Sequence, residues 1–175
     1  MRRLSIVGLC LLLLGLVGLL GIAPRLTDAH QHPSSGEAIA TTEGKPFEGF
    51  TLHLDAKMHF PGDPAMIAHH YCKTVGGGMI ECLIFDGEAD DAHLVAAETI
   101  VSPEVYDGFD PAEQKLWHYH KTELPKVEAT LPDLSPDEAA TVVAAAEETY
   151  GKVYLLWDPS ASDLPVGQPS VRIMQ

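Results

Sequence analysis

The sequence predicts an α+β domain with a mainly antiparallel sheet and two principal helices, preceded by an N-terminal hydrophobic signal or anchor helix. Three observations predict it. Short segments of alternating apolar residues fill 50–101, two capped helix starts follow at Asp110 and Ser135, and two strand-like pieces close the chain.

In chain order, Arg2 and Arg3 precede Leu4–Ala23, LSIVGLCLLLLGLVGLLGIA, which carries no charge. A basic start and an apolar run read as an export signal, and this run is also long enough to span a bilayer. Thr27 and Ala29 set up a cut after Ala29; without it the segment is an anchor that makes the membrane a partner. Both outcomes predict an exported, extracytoplasmic or secreted body. Residues 1–29 are thus the leader, 30–49 (HQHPSSGEAIATTEGKPFEG) a flexible linker, and 50–175 the domain. With 25 acidic against 11 basic residues, the formal charge is −14, which excludes nucleic acid and anionic membrane surfaces as partners of the folded part.

In TLHLDAKMHF, Leu52, Leu54, Ala56, Met58 and Phe60 alternate with His53, Asp55, Lys57 and His59, predicting a strand with one wet face. PGDP breaks it. MIAHHYC and MIECLIFD, joined through Gly76–Gly78, read as a hairpin. HLVAAETIV reads as a further strand, its alanines leaving helix open. DPAEQKLWHYH offers Asp110 as N-cap, Pro111 in the first turn and Glu113 to close a capping box. SPDEAATVVAAAEETYG repeats the device and stops at Gly151; VYLLWD and SVRIM are the closing strands.

With the glycines as the hairpin loop, Cys72 faces Cys82, and His69 and His70 point to opposite faces, so both cannot bind one metal. Opposed cysteines leave three readings open: two buried thiols, a disulfide, or zinc ligands. Glu98 aligns with Leu94, Ala96 and Ile100 on an apolar face and needs a partner there. His118 and His120, two apart, share a face only if the chain is extended; a helix C-terminus would account for His118 by itself. The candidate binding or metal site is therefore a pocket of Glu98, His118 and His120, joined by His70. A structural Glu–His hydrogen bond explains the same residues. No catalytic residue is assigned and no cofactor is expected, a divalent metal being the alternative. P-loop, GxGxxG, GxSxG and HExxH motifs are missing from the sequence.

FTLHLDAKMHF, AHHYC followed by Cys82 and LIFD, then LWHYH, TYGKVYLLW and DLPVGQPSVRIM resemble, in order and spacing, the oil body-associated protein family over about residues 50–175. Plant members associate with the surface of seed oil bodies, and the family has no accepted catalytic mechanism. The resemblance implies that His69, His70, Cys72, Cys82, Glu98, Trp117, His118 and His120 belong to the family pattern. The apolar leader and the glycine-rich hairpin depart from the plant pattern. The expected function is a non-enzymatic binding or structural module for a lipid or other apolar ligand; the alternative is a metal-dependent enzyme using the Glu98, His118, His120 and His70 pocket.

Overall fold

The computed structural model describes residues 47–173. The predicted leader, residues 1–29, and most of the predicted linker lie outside them. Among the described residues no helix is long and apolar enough to cross a membrane.

Seven strands form one sheet, all paired antiparallel: β1 (Leu52–Ala56), β2 (Ala68–Val75), β3 (Met79–Phe85), β4 (Leu94–Val101), β5 (His118–Tyr119), β6 (Tyr150–Leu155) and β7 (Ser170–Arg172). The order is β1-β2-β3-β4-β6-β5. The outer edge of β6 is shared, with β5 pairing at Tyr150 and Gly151 and β7 at Val153 to Leu155. The antiparallel sheet and its hairpin are as expected. Gly77 and Gly78 turn the β2–β3 hairpin at φ 76° and 74°, a region glycine enters without steric cost. The predicted register follows: Val75 opposes Met79, Cys72 opposes Cys82 and His70 opposes Ile84.

Rows of side chains cross the buried face of the sheet. Cys72, Cys82, Glu98 and Val153 form one, and His70, Ile84, Ala96 and Leu155 the next. The apolar core gathers Phe60, Ala68, Ile84, Val95, Ala96, Val153, Leu155 and Trp157. Cys72 and Cys82 are joined by a disulfide, which removes the free-thiol and zinc-ligand readings of that pair.

Several expectations are corrected. β1 ends at Ala56 because Met58 takes φ 70°, so the alternation does not reach Phe60. His53 and His59, expected on a wet face, are buried. A register shift at Ile84 and Phe85 turns Leu94 out to solvent and Val95 into the core. Two principal helices become one: among the described residues α4 (Pro136–Glu147) is the single helix longer than five residues. The others are α1 (Pro103–Asp107), α2 (Pro111–Gln114) and α3 (His120–Glu123). Asp110 caps α2 as predicted, accepting from Ala112 N and Glu113 N at 2.8 and 3.0 Å. Glu113 does not close the box; it accepts from Trp117 Nε1 and Lys152 Nζ instead, and the helix ends after one turn. The second capping box, Ser135 with Glu138, is present. Gly151 is not a helix stop but a strand residue of β6.

Candidate metal centre

Glu98 stands on β4 in the middle of the sheet, and Ile100, two residues on, pairs with Gly151 of β6. Across β6, Gly151 pairs with His118 of β5. The glycine therefore leaves a gap in the side-chain layer between Glu98 and His118. Tyr119 is extended, at φ −95° and ψ 117°, which meets the condition under which His118 and His120 share a face. Their rings lie 5.0 Å apart. His118 belongs to β5, so the helix-terminus account of it does not apply.

The nitrogens converge on one carboxylate oxygen. Nε2 of His118 and Nε2 of His120 each lie 3.3 Å from Glu98 Oε1. A tetrahedral shell with bonds of about 2.1 Å spaces its ligands by about 3.4 Å. A Cβ added at Gly151 would overlap Glu98 Oε1 and stand 2.6 Å from both Nε2 atoms. One point in front of Gly151 is thus within reach of all three donors, and only glycine leaves it open. His118, His120 and Glu98 are each buried.

The tautomer of His120 follows from its neighbours. Thr149 Oγ1 donates to the Ala146 carbonyl at 2.7 Å, so it accepts from His120 Nδ1–H at 2.8 Å. Neutral His120 then directs the bare lone pair of Nε2 at the Glu98 carboxylate. A cation between Nε2 and the Glu98 oxygen would suit both groups as acceptors. Burial pulls His118 down, but hydrogen bonds to Glu123 and Glu98 outweigh it and raise its pKa to about 10. Burial pushes Glu98 up, and the contacts with His118 and His120 reverse this, holding it well below the usual carboxylate range. These residues are two imidazoles and a carboxylate, a donor set that suits a divalent transition metal.

Of the predicted site residues, Glu98, His118 and His120 come together. His70 lines the same cavity, of about 60 Å³, but its Nε2 meets His59 Nε2 at 3.1 Å rather than the other three. The sequence reading missed four members. Glu123 Oε2 lies 2.7 Å from His118 Nε2, and its i, i+3 spacing from His120 in HKTE was the available signal. His59 followed the strand alternation only in part. Thr149 and Gly151 adjoin the helix end in ETYG, where glycine reads as a stop; nothing local marks them as site residues.

The chain is 31% identical over 130 residues to oil body-associated protein 2A of Arabidopsis thaliana, covering 73% of this chain and 53% of that protein. It is 32% identical over 137 residues to oil body-associated protein 1B of Arabidopsis thaliana, covering 77% and 57%. It is 31% identical over 150 residues to oil body-associated protein 1A of Zea mays, covering 80% and 63%. The chain thus spans little more than half the length of these curated relatives. No solved structure matches it. The relatives are named for oil bodies, and this overturns the expectation of an exported, extracytoplasmic or secreted protein. That expectation took the apolar leader as decisive and discounted the oil-body resemblance. Residues 44–175 match the family model described as protein of unknown function (DUF1264), and the chain belongs to that family, with oil body-associated proteins among its relatives.

Proposed function

We propose that this chain is a divalent-metal-binding domain of the oil body-associated type, without enzymatic activity of its own. Glu98, His118 and His120 hold one transition-metal ion in front of Gly151. The observation that carries the reading is the convergence of the three donors on the one place a side chain at 151 would fill. The ion would sit between Nε2 of His120 and the Glu98 oxygen, and it would tie β4 to β5 and α3. The cavity of about 60 Å³ has room for water at an open coordination position, not for an acyl chain or sugar, which disfavours turnover of a large substrate there.

The test is zinc titration of the chelator-stripped full chain. Zinc at a hundred times its dissociation constant adds about 2.7 kcal/mol, several degrees of melting temperature. Glu98→Gln is expected to remove that part of the rise. A melting temperature indifferent to zinc, nickel and copper in the wild type ends the proposal.

Association with a lipid body comes to this chain from the relatives' names. A surface groove of Phe47, Phe50, Tyr71, Leu83 and Phe85, about 330 Å³ and also lined by Glu88 and Asp90, is where an apolar ligand would lie, on the sheet face away from the Glu98 centre. Flotation with triolein emulsions tests it: Phe85→Ser is expected to reduce binding, and equal flotation of both proteins would reject the groove.

A further inference from the structure

We infer that the opposite face of the sheet carries a second divalent-metal site, built from His53, Asp55, His69 and Glu88, independent of the centre at Glu98. His53 and Asp55 are two apart on β1 and so share a face; Asp55 pairs directly with His69 on β2. Two adjacent strands therefore fix three of the donors. Glu88 comes from the β3–β4 loop.

The spacings fit one ion. His53 Nε2 lies 3.1 Å from Asp55 Oδ1 and 3.5 Å from Glu88 Oε1. His69 Nδ1 lies 2.7 Å from Asp55 Oδ1 and 3.9 Å from Glu88 Oε1. These four separations bracket the roughly 3.4 Å edge of a tetrahedral shell with 2.1 Å bonds. All four donor atoms lie within 4.8 Å of one another.

Three further observations distinguish this group from a solvated charge cluster. The other nitrogen of His53, Nδ1, has Asp133 Oδ2 at 3.3 Å, so a further carboxylate stands at the ring nitrogen that does not face the ion. The His53 ring is stacked on Tyr71, centroids 4.7 Å apart and planes within 12°, so its direction is fixed. His69 Nδ1 is buried with no hydrogen-bond partner: Asp55 is near it but out of line for a bond. A buried nitrogen in that condition is one an ion would satisfy. Two imidazoles and two carboxylates suit zinc or a similar divalent ion, and an ion held here would staple the β3–β4 loop to the first strand pair.

The test measures zinc bound per full-length chain by elemental analysis after dialysis, alongside Co²⁺ absorption of the same samples. Two zinc ions per wild-type chain are expected. Glu88→Gln, on a half-exposed loop residue that cannot unfold the core, is expected to remove one or weaken it at least 10-fold; Asp133→Asn is expected to weaken the same ion about 10-fold. Zinc binding by Glu88→Gln equal to wild type at both sites overturns the inference, as does a cobalt spectrum the variant leaves unchanged. The two centres fail separately. If a single wild-type zinc is lost in Glu98→Gln and kept in Glu88→Gln, the second site is wrong and the first stands. The reverse pattern leaves the second site and rejects the first.

Discussion

His69 and His70 are neighbours in the chain and belong to opposite faces of the sheet. His69 Nδ1 lies 2.7 Å from Asp55, while His70 Nε2 lies 3.1 Å from His59. Strand geometry imposes the separation, because successive side chains leave a strand on opposite sides. The hairpin register therefore assigns one imidazole to each polar cluster, and a slip of one residue would exchange them. The disulfide between Cys72 and Cys82, in the same strand pair, holds that register.

Gly151→Ala is the sharpest probe of the metal centre. Gly151 is not among the glycines with positive φ, so alanine takes its backbone without strain and the substitution acts through the collision of its Cβ with Glu98 and the two imidazoles. Zinc affinity at this centre is expected to fall by at least the roughly 100-fold at the upper end for disturbed supporting contacts. Calorimetric titration reads the change. Unaltered affinity would mean that the ion, if bound, sits elsewhere.

Much of this site could be read from the sequence, and the part that could not has a physical cause. Glu98 was found because a carboxylate in an apolar row must have a partner. His118 and His120 are legible as a pair in LWHYH, but the decisive condition, an extended Tyr119, depends on α2 ending after one turn. Glu113 turns to Trp117, four residues on, and to Lys152, 39 residues on, and the second of these partners leaves no local trace. Gly151 was misread for the same reason: its absent side chain serves residues 53 and 33 positions away in the chain, Glu98 and His118, rather than the helix before it. The hairpin register was legible because the three glycines are the one run between the two apolar segments that takes the positive φ a tight turn needs.

The metal-stripped protein should lose stability in acid, and His70 gives the sign. Burial, and then the neighbouring His59, lowers its pKa from 6.5 to about 4. The unfolded chain then binds a proton below 6.5 that the folded chain refuses. Stability from this group is complete above pH 6.5 and is lost as pH falls toward 4, on the order of 3 kcal/mol in all. His118 acts in the other direction. Its pKa is raised to about 10, so its contribution is complete below 6.5 and fades as pH rises toward 10. Urea midpoints at pH 7, 5.5 and 4.5 check the acid limb. A slope that His70→Gln leaves unchanged assigns the acid loss to another group.

Reducing the disulfide should destabilise the domain without unfolding it. Cys72 and Cys82 are 10 residues apart, and a loop this short gives a loop-closure contribution of about 2–3 kcal/mol. The paired Cys72→Ala and Cys82→Ala variant is expected to unfold at lower denaturant with a similar slope. A midpoint equal to that of the oxidised protein would mean that hairpin pairing alone holds the register.

Thr149→Val tests whether the hydroxyl behind His120 positions it for metal. Valine keeps the β-branched shape and removes the hydroxyl, and with it both the acceptor that fixes the proton on Nδ1 and the donor to the Ala146 carbonyl. His120 could then turn or exchange tautomers, and its Nε2 would spend less time aimed at Glu98. Zinc affinity is expected to fall about 10-fold, with the stability of the metal-free protein lowered by no more than the loss of two hydrogen bonds, about 2 kcal/mol. The two readouts separate positioning from packing: a variant that loses stability but binds zinc as before shows that Thr149 supports the chain and not the ion. A variant that keeps its stability and loses affinity shows that the proton on the far side of the ring decides what the near side can hold.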